Sequence, residues 1–308
     1  MIIHTGLRTD IPAFYSQWFV NRLQEGFVIV RNPYNPLQIT KYSLSPEVVD
    51  LLCFCTKNPA PLMPRLELLK EYGQYWFVTI TPYGPEIEPG VPPKEQVMDT
   101  FCALSEKVGI QSIAWRYDPI FLSDQYTLQS HMDAFERMAR RLSGYTDTCI
   151  ISFIDLYQKV LRNFPEVREV SKADQITLAK AFVSIGREYG MTIKSCAEGR
   201  DLADYGVDCD GCMTIKTFER ALGCPLNAPK TKGARSECAC YLGADIGAYN
   251  TCGHLCKYCY ANYDAKTVIA NQRKHNPRSP LLLGEPGPRD VVRTAKQSSW
   301  KDPQMRLW

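Results

Sequence analysis

Short apolar runs rich in β-branched residues alternate along the chain with longer stretches whose apolar residues recur at helical spacing. A continuous apolar run is typical of a parallel strand, because such a strand is buried on both faces. Six runs predict strands at Ile2–Thr5, Val49–Thr56, Tyr75–Thr81, Gln111–Tyr117, Thr148–Phe153 and Met191–Cys196. The stretches between them predict helices at Pro12–Gln24, Leu62–Tyr72, Pro93–Val108, Leu128–Leu142 and Lys172–Tyr189.

This alternation predicts an α/β fold with a parallel sheet covered by helices. Right-handed crossovers would roll residues 1–200 into a (βα)6 partial or TIM-like barrel. The segment Gly26–Leu44 predicts an inserted β-hairpin, because a turn rich in Asn and Pro lies at its centre. Residues 201–265 form a cysteine-rich region that we expect to bind a cluster, and residues 266–308 predict an irregular C-terminal tail.

Polar or charged residues follow most of the predicted strands. In barrels of this kind the catalytic groups lie at the C-terminal ends of the strands. We therefore predict a catalytic or substrate-positioning site there, with structural salt bridges at the rim as the alternative. The candidates are Arg8, Asp10, Lys57, Asn58, Arg116, Asp118 and Glu198.

The chain has 308 residues and 13 cysteines, most of them between Cys196 and Cys259. No apolar run approaches the ~20 residues that span a bilayer, and the N-terminus lacks the pattern of a secretory signal. These features predict a cytoplasmic protein with no membrane partner. Because thiols stay reduced in that compartment, clustered cysteines favour a metal site over disulfides.

The strongest signal for a metal site is Cys252-Gly-His-Leu-Cys256-Lys-Tyr-Cys259, a C-x3-C-x2-C spacing. Three thiolates this close can bind one face of a 4Fe-4S cluster, which leaves one iron for a distant ligand or a small molecule. Structural zinc is the alternative, although it usually takes two C-x2–4-C pairs. His254, inside the triplet, is a candidate to hydrogen-bond the cluster or to contact substrate. The equal alternative is that the side chain of His254 is only exposed to solvent.

A second set of cysteines lies between the sixth predicted strand and this triplet. We predict a second 4Fe-4S cluster on them, with zinc as a serious alternative because their paired spacings also suit a single ion. The predicted ligands are Cys196, Cys212, Cys238 and Cys240, with Cys209 as the rival to Cys212.

The triplet has the spacing of the signature of radical S-adenosylmethionine enzymes, and its Tyr-Cys-Tyr ending resembles the spore photoproduct lyase branch. In those enzymes the triplet follows the first barrel strand, whereas here it follows the sixth. Over nearly the whole length, the chain resembles the uncharacterised DUF1848 family. The stretches that carry this likeness are Arg8–Tyr15, Thr56–Pro59, Trp115–Pro119, Ser195–Glu198 and Asp245–Cys252.

The resemblance of the triplet to that of radical S-adenosylmethionine enzymes implies an enzyme that reductively cleaves S-adenosylmethionine on a 4Fe-4S cluster. The radical formed would start chemistry on an unknown substrate. The resemblance also implies a reductant such as a ferredoxin or flavodoxin as partner. Two alternatives stay open: an iron–sulfur redox enzyme that does not use S-adenosylmethionine, and a zinc-stabilised binding module without enzymatic activity.

Nucleic acid is a further partner that the sequence leaves open. The formal net charge of +3 does not argue for it, because phosphate binding depends on a local basic patch. The tail supplies such residues, although tails of this kind are usually only solvated. Its basic residues are Lys266, Arg273, Lys274, Arg278, Arg289, Arg293, Lys296, Lys301 and Arg306.

Overall fold

The computed structural model describes residues 1–230, 238 and 240–302. In chain order its strands are β1 Ile2–His4, β2 Phe27–Arg31, β3 Gln38–Ser43, β4 Leu51–Thr56, β5 Gly73–Thr79, β6 Ile113–Ile120, β7 Thr148–Phe153, β8 Thr192–Ser195, β9 Ala244–Asp245 and β10 Val291–Thr294. Its α-helices are α1 Ile11–Phe14, α2 Ser16–Glu25, α3 Lys94–Val108, α4 Leu128–Leu142, α5 Gln158–Asn163, α6 Lys172–Glu188, α7 Ile215–Leu222 and α8 Ala265–Gln272.

The six predicted strands, together with β9, form one parallel sheet in the order β8-β7-β6-β5-β4-β1-β9. Strands that follow one another in the predicted alternation are thus neighbours in space. The sheet is open, with β8 and β9 at its two edges, so the TIM-like barrel is not confirmed in the described part of the chain. The edge strand β9 comes from the cysteine-rich region and is too short for a sequence pattern to reveal.

The two faces of the sheet are covered by different parts of the chain. Along β4, Leu52 and Phe54 point into the large core beneath the helices, where the ring of Phe54 stacks on Trp76 at 3.9 Å. Leu51 and Cys53 alternate onto the other face, as the period of a strand requires. That second face is covered by α7 and by the cysteine-rich segment, so it is not left to solvent.

Four of the five predicted helices are α-helical, and the prediction for Leu62–Tyr72 is wrong in type. The chain there forms a 3-10 helix over Met63–Leu69. Pro61 and Pro64 explain the difference, since a proline has no N–H to donate to a helical hydrogen bond. The first predicted helix is divided at Tyr15 into α1 and α2.

The predicted hairpin is confirmed: β2 and β3 pair antiparallel. Strand β10 of the tail pairs with β3 in parallel and completes a three-stranded sheet. The tail therefore contains regular structure, including α8 at its start, while Arg306 lies outside the described residues. Among the helices that the structure describes, none is both long and apolar enough to cross a bilayer.

Candidate metal centres

The loop that carries the cysteine triplet lies over the C-terminal ends of β1, β4 and β5. It follows β9, where Ile246 N–H donates to the carbonyl of His4 at 3.0 Å. The loop after β5 holds it from the other side, because Gly90 N–H donates to the carbonyl of His254 at 2.9 Å. Leu255 has a φ of 55°, a left-handed conformation that is uncommon outside glycine and that turns the chain between Cys252 and Cys256.

The three thiols of the triplet are neighbours, and each interacts electrostatically with another of the set. Burial raises the pKa of Cys252 well above its usual value, while the backbone N–H of His254 acts in the opposite direction. Burial likewise raises the pKa of Cys259, opposed by the N–H groups of Ala261 and Asn262. N–H groups aimed at sulfur stabilise thiolates, and they are typical of metal-bound cysteine.

His254 joins the triplet loop to the first strand's loop. Its Nε2 lies 2.8 Å from Oδ2 of Asp10, and its Nδ1 lies 3.0 Å from the carbonyl oxygen of Gly90. Both ring nitrogens of His254 therefore lie within hydrogen-bonding distance of an oxygen. The side chains of His254 and Asp10 are almost fully buried, which makes this a buried hydrogen-bonded pair.

Glu88, in the loop after β5, is the centre of a second buried network at the triplet. Its carboxylate accepts from Lys57 Nζ at 2.9 Å and from Thr81 Oγ1 at 2.8 Å, and also from Lys94 Nζ and Tyr258 Oη. Burial alone raises the pKa of Glu88, but the two ammonium groups outweigh it and lower that pKa to about 2. The carboxylate is therefore ionised although it is buried.

A second group of cysteines lies on the sheet face opposite the main helices. The sulfurs of Cys196, Cys212 and Cys240 all lie within 4.8 Å of one another, and Cys212 Sγ is 3.3 Å from Cys240 Sγ. Three of the four predicted ligands thus meet, and Cys212 takes part in place of its rival Cys209. Cys238 lies outside this group. Within the described residues the triplet at Cys252 is not drawn together to the same distance.

The family model described as "Domain of unknown function (DUF1848)" matches residues 2–261. The chain belongs to the DUF1848 family. No curated protein matches the chain. The matched region begins at β1 and ends two residues after Cys259, so it includes both cysteine groups and the strands beneath them.

The other strand-end candidates of this DUF1848 chain are divided between the two cysteine groups. Asp10 and Lys57 lie at the triplet, as described above. Arg116 and Asp118 belong to the second group: their side chains pair at 2.6 Å, and Arg116 Nη1 lies 3.8 Å from Cys212 Sγ. Since β6 extends to Ile120, both residues lie within a strand and not after one.

Three remaining candidates contact neither cysteine group through a described hydrogen bond. Arg8 pairs with Asp245 at the end of β9. Asn58 accepts from Ala60 N–H at 3.2 Å, which is a local turn contact. Glu198 accepts from Phe153 N–H at 2.8 Å, and burial raises its pKa to about 7.

Sequence reasoning missed Glu88, whose carboxylate accepts hydrogen bonds from both Lys57 and Tyr258 beside the triplet. It lies in a Pro- and Gly-rich loop and has no motif around it. The signal that was available is its position between a strand and a helix of the alternation, where the loop at the C-terminal end of the strand contributes to the site.

Proposed function

We propose that the chain is an iron–sulfur enzyme of the radical S-adenosylmethionine type, with its cluster on Cys252, Cys256 and Cys259. One observation carries the proposal: the buried thiols lie against a network of buried, ionised groups at the strand ends. A module that only needed a metal for stability would gain little from such a network, because burying charge is costly. Active sites, by contrast, concentrate groups of this kind.

The donor set fits a cluster. Thiolates are the usual ligands of iron–sulfur centres, and hydrogen bonds to their sulfurs tune them. The ammonium group of Lys57 interacts with both Cys256 and Cys259, and Lys159 interacts with Cys259, so positive charge offsets that of the thiolates. In a cluster each cysteine binds a different iron, so the sulfurs need not approach as closely as they do around one zinc ion.

Cys252, Cys256 and Cys259 would hold the cluster with one iron free of cysteine, and the bound cluster would supply the electron for reductive cleavage of S-adenosylmethionine. The protein positions the triplet loop and excludes water from the site. Asp10 and Lys57 hold the triplet loop against the strand ends through His254 and Glu88. An apolar cluster that includes Tyr83, Phe121 and Tyr258 packs around Cys256 and excludes water from that side.

The test begins with protein purified anaerobically and analysed for iron and sulfide. We expect about four irons per chain at the triplet, and loss of that iron in Cys256→Ser. Cys224→Ser is the matched control, since Cys224 is half-buried in the same cysteine-rich region and belongs to neither group. A preparation with zinc at the triplet and no iron would favour the zinc-stabilised binding module instead.

The second step tests the cofactor. The reduced protein is incubated with S-adenosylmethionine, and 5′-deoxyadenosine is measured together with the EPR spectrum of the cluster. We expect the nucleoside to form and the EPR signal to change. A reductant such as a ferredoxin or flavodoxin would supply the electron during turnover.

One observation favours a second candidate, an iron–sulfur redox enzyme that does not use S-adenosylmethionine. Two side chains beside the triplet are already paired inside the protein, Lys57 with Glu88 and His254 with Asp10. A carboxylate of an incoming cofactor would have to compete with these pairs. A fully loaded cluster that yields no 5′-deoxyadenosine and keeps its EPR signal unchanged would decide for this candidate.

A further inference from the structure

We propose that Cys196, Cys212 and Cys240 bind a single divalent ion of the zinc type, separate from the iron–sulfur cluster at the triplet. This proposal does not rest on the function proposed above. It concerns a different set of cysteines on a different face of the sheet, and it replaces the second iron–sulfur cluster that the cysteine spacing first predicts.

The distances between the sulfurs favour a single ion. A tetrahedral zinc site with Zn–S bonds of about 2.3 Å places its sulfurs roughly 3.8 Å apart. The three thiols all lie within 4.8 Å of one another, and the Cys212–Cys240 pair is at 3.3 Å. A 4Fe-4S cluster would need a wider set, because each cysteine binds its own iron. A disulfide would need a separation of about 2.0 Å.

The three ligands come from parts of the chain that are separated in sequence, and a bound metal would cross-link them. Cys196 directly follows the edge strand β8, and its N–H donates to the carbonyl of Ile151 at 2.9 Å. Cys240 precedes β9, the opposite edge of the same sheet, and Cys212 lies in the segment between them. Few regular elements hold this segment, so metal ligation would supply stabilisation that its short helices cannot.

The surroundings of the group also suit a metal bound by thiolates. Cys212 and Cys240 are buried in an apolar cluster that covers the second face of the sheet. Three thiolates on a divalent ion leave a net negative charge, which is costly to bury unless it is paired. The guanidinium of Arg116, whose Nη1 lies 3.8 Å from Cys212 Sγ, provides the compensating positive charge. Asp118 pairs with the guanidinium and holds it in place.

We assign the fourth ligand position to Cys238. It lies two residues before Cys240 and packs against the same apolar cluster as Cys212 and Cys240. Cys209 lines the same cavity as Cys212 and Cys238 but packs against the main core. A structural zinc site is almost always four-coordinate, so a nearby thiol is the expected fourth ligand.

The experiment uses the full chain, purified anaerobically from cells grown with zinc and iron. Metal analysis should find about one zinc per chain, and X-ray absorption at the zinc edge should show four sulfurs at about 2.3 Å. Zinc absent from the protein, zinc without sulfur ligands, iron in place of zinc, or a Cys212–Cys240 disulfide detected by mass spectrometry would overturn the proposal.

Three variants separate this site from the triplet. Cys212→Ser should lose the zinc and keep the iron, Cys256→Ser should lose the iron and keep the zinc, and the control Cys224→Ser should keep both. Cys238→Ser should replace one sulfur by a lighter atom in the absorption spectrum; four retained sulfurs would overturn the assignment of Cys238. Because the absorption spectrum of the unaltered protein tests the site directly, a variant that fails to fold does not decide the outcome.

Discussion

Nε2 of His254 lies 2.8 Å from Oδ2 of Asp10, which joins the loop of the cysteine triplet to the loop after the first strand. The same carboxylate oxygen accepts from Lys57 N–H at 2.7 Å, so one side chain fixes three parts of the chain. The triplet is far from β1 in sequence and reaches the strand ends through this contact. The triplet can therefore lie at the C-terminal ends of the strands although it comes late in the chain.

We predict that Asp10→Asn and His254→Gln each destabilise the fold by about 3 kcal/mol, because each disrupts a buried hydrogen bond and leaves a buried polar group unsatisfied. Because the two side chains are hydrogen-bonded to each other, the double variant should lose about 2 kcal/mol less stability than the sum of the losses of the two single variants. Urea unfolding of the four proteins, with the same metal content, measures this coupling. Additive losses would show that the pair does not hold the loop.

Glu88 gives a prediction for the pH dependence of stability. The pKa of Glu88 lies at about 2 in the folded chain, against an ordinary value of 4.5. As the pH falls, Glu88 is protonated in the unfolded chain before it is protonated in the folded chain. The stabilisation of the fold by the Glu88 carboxylate is therefore fully present above about pH 5 and is lost as the pH falls from 4.5 towards 2. This contribution amounts to about 3 kcal/mol.

The comparison is between the unaltered protein and Glu88→Gln, by urea unfolding at pH 7 and at pH 3. The gap in stability should be large at pH 7 and should narrow at pH 3, because only the unaltered protein loses the carboxylate's contribution. Loss of metal in acid affects both proteins and cancels in the difference. Glu67→Gln, which removes an exposed partner of Lys70, should follow the unaltered protein at both values. A gap independent of pH would contradict an ionised Glu88.

The architecture of the sheet is predictable from sequence because burial on both faces leaves a clear pattern. In β4 the residues pointing to one face, Leu52 and Phe54, and those pointing to the other, Leu51 and Cys53, are all apolar. Whether such a sheet closes is a different question. It depends on what fills the second face, and α7 with the cysteine-rich segment fills it here through contacts between residues distant in sequence.

The site is predictable only in part, for a related reason. Asp10 and Lys57 could be named because they follow strands, yet the partner of Lys57, Glu88, comes from a loop whose path no local pattern fixes. Likewise, cysteine spacing indicates a second metal group, but it cannot choose between Cys209 and Cys212. That choice is made when the chain packs across the sheet, where Met213 N–H approaches Cys240 Sγ at 3.5 Å.

Arg116 gives a prediction at the second cysteine group. Arg116→Gln would leave Asp118 and a thiolate group without their cation in a largely buried setting. We expect a loss of about 3–5 kcal/mol in the free energy of unfolding, together with weaker zinc retention against a chelator. Adding Asp118→Asn should restore part of the stability but not the zinc retention.

Arg200→Gln is the matched control, because Arg200 pairs with Asp210 where both side chains are about three-quarters exposed. Exposed pairs contribute little, so this variant should unfold close to the unaltered protein. If Arg116→Gln behaves like Arg200→Gln in stability and zinc retention, the guanidinium has no role at the thiol group.

Gly90 gives the last prediction, at the point where the loop after β5 meets the triplet loop. A Cβ on Gly90 would lie 2.2 Å from the carbonyl oxygen of Gly253 and 2.8 Å from Cα of His254. Both are backbone atoms, so the triplet loop itself would have to move. We expect Gly90→Ala to cost about 2 kcal/mol in stability and to lose iron, because the shift reaches Cys252 and Cys256 through their neighbours. Gly287→Ala is the control, since its Cβ would meet only Asp290 Oδ2 at 3.8 Å. Iron analysis and thermal unfolding of Gly90→Ala and Gly287→Ala test this prediction. Equal iron content in the two variants would show that the contact between Gly90 and the triplet loop does not position the thiols.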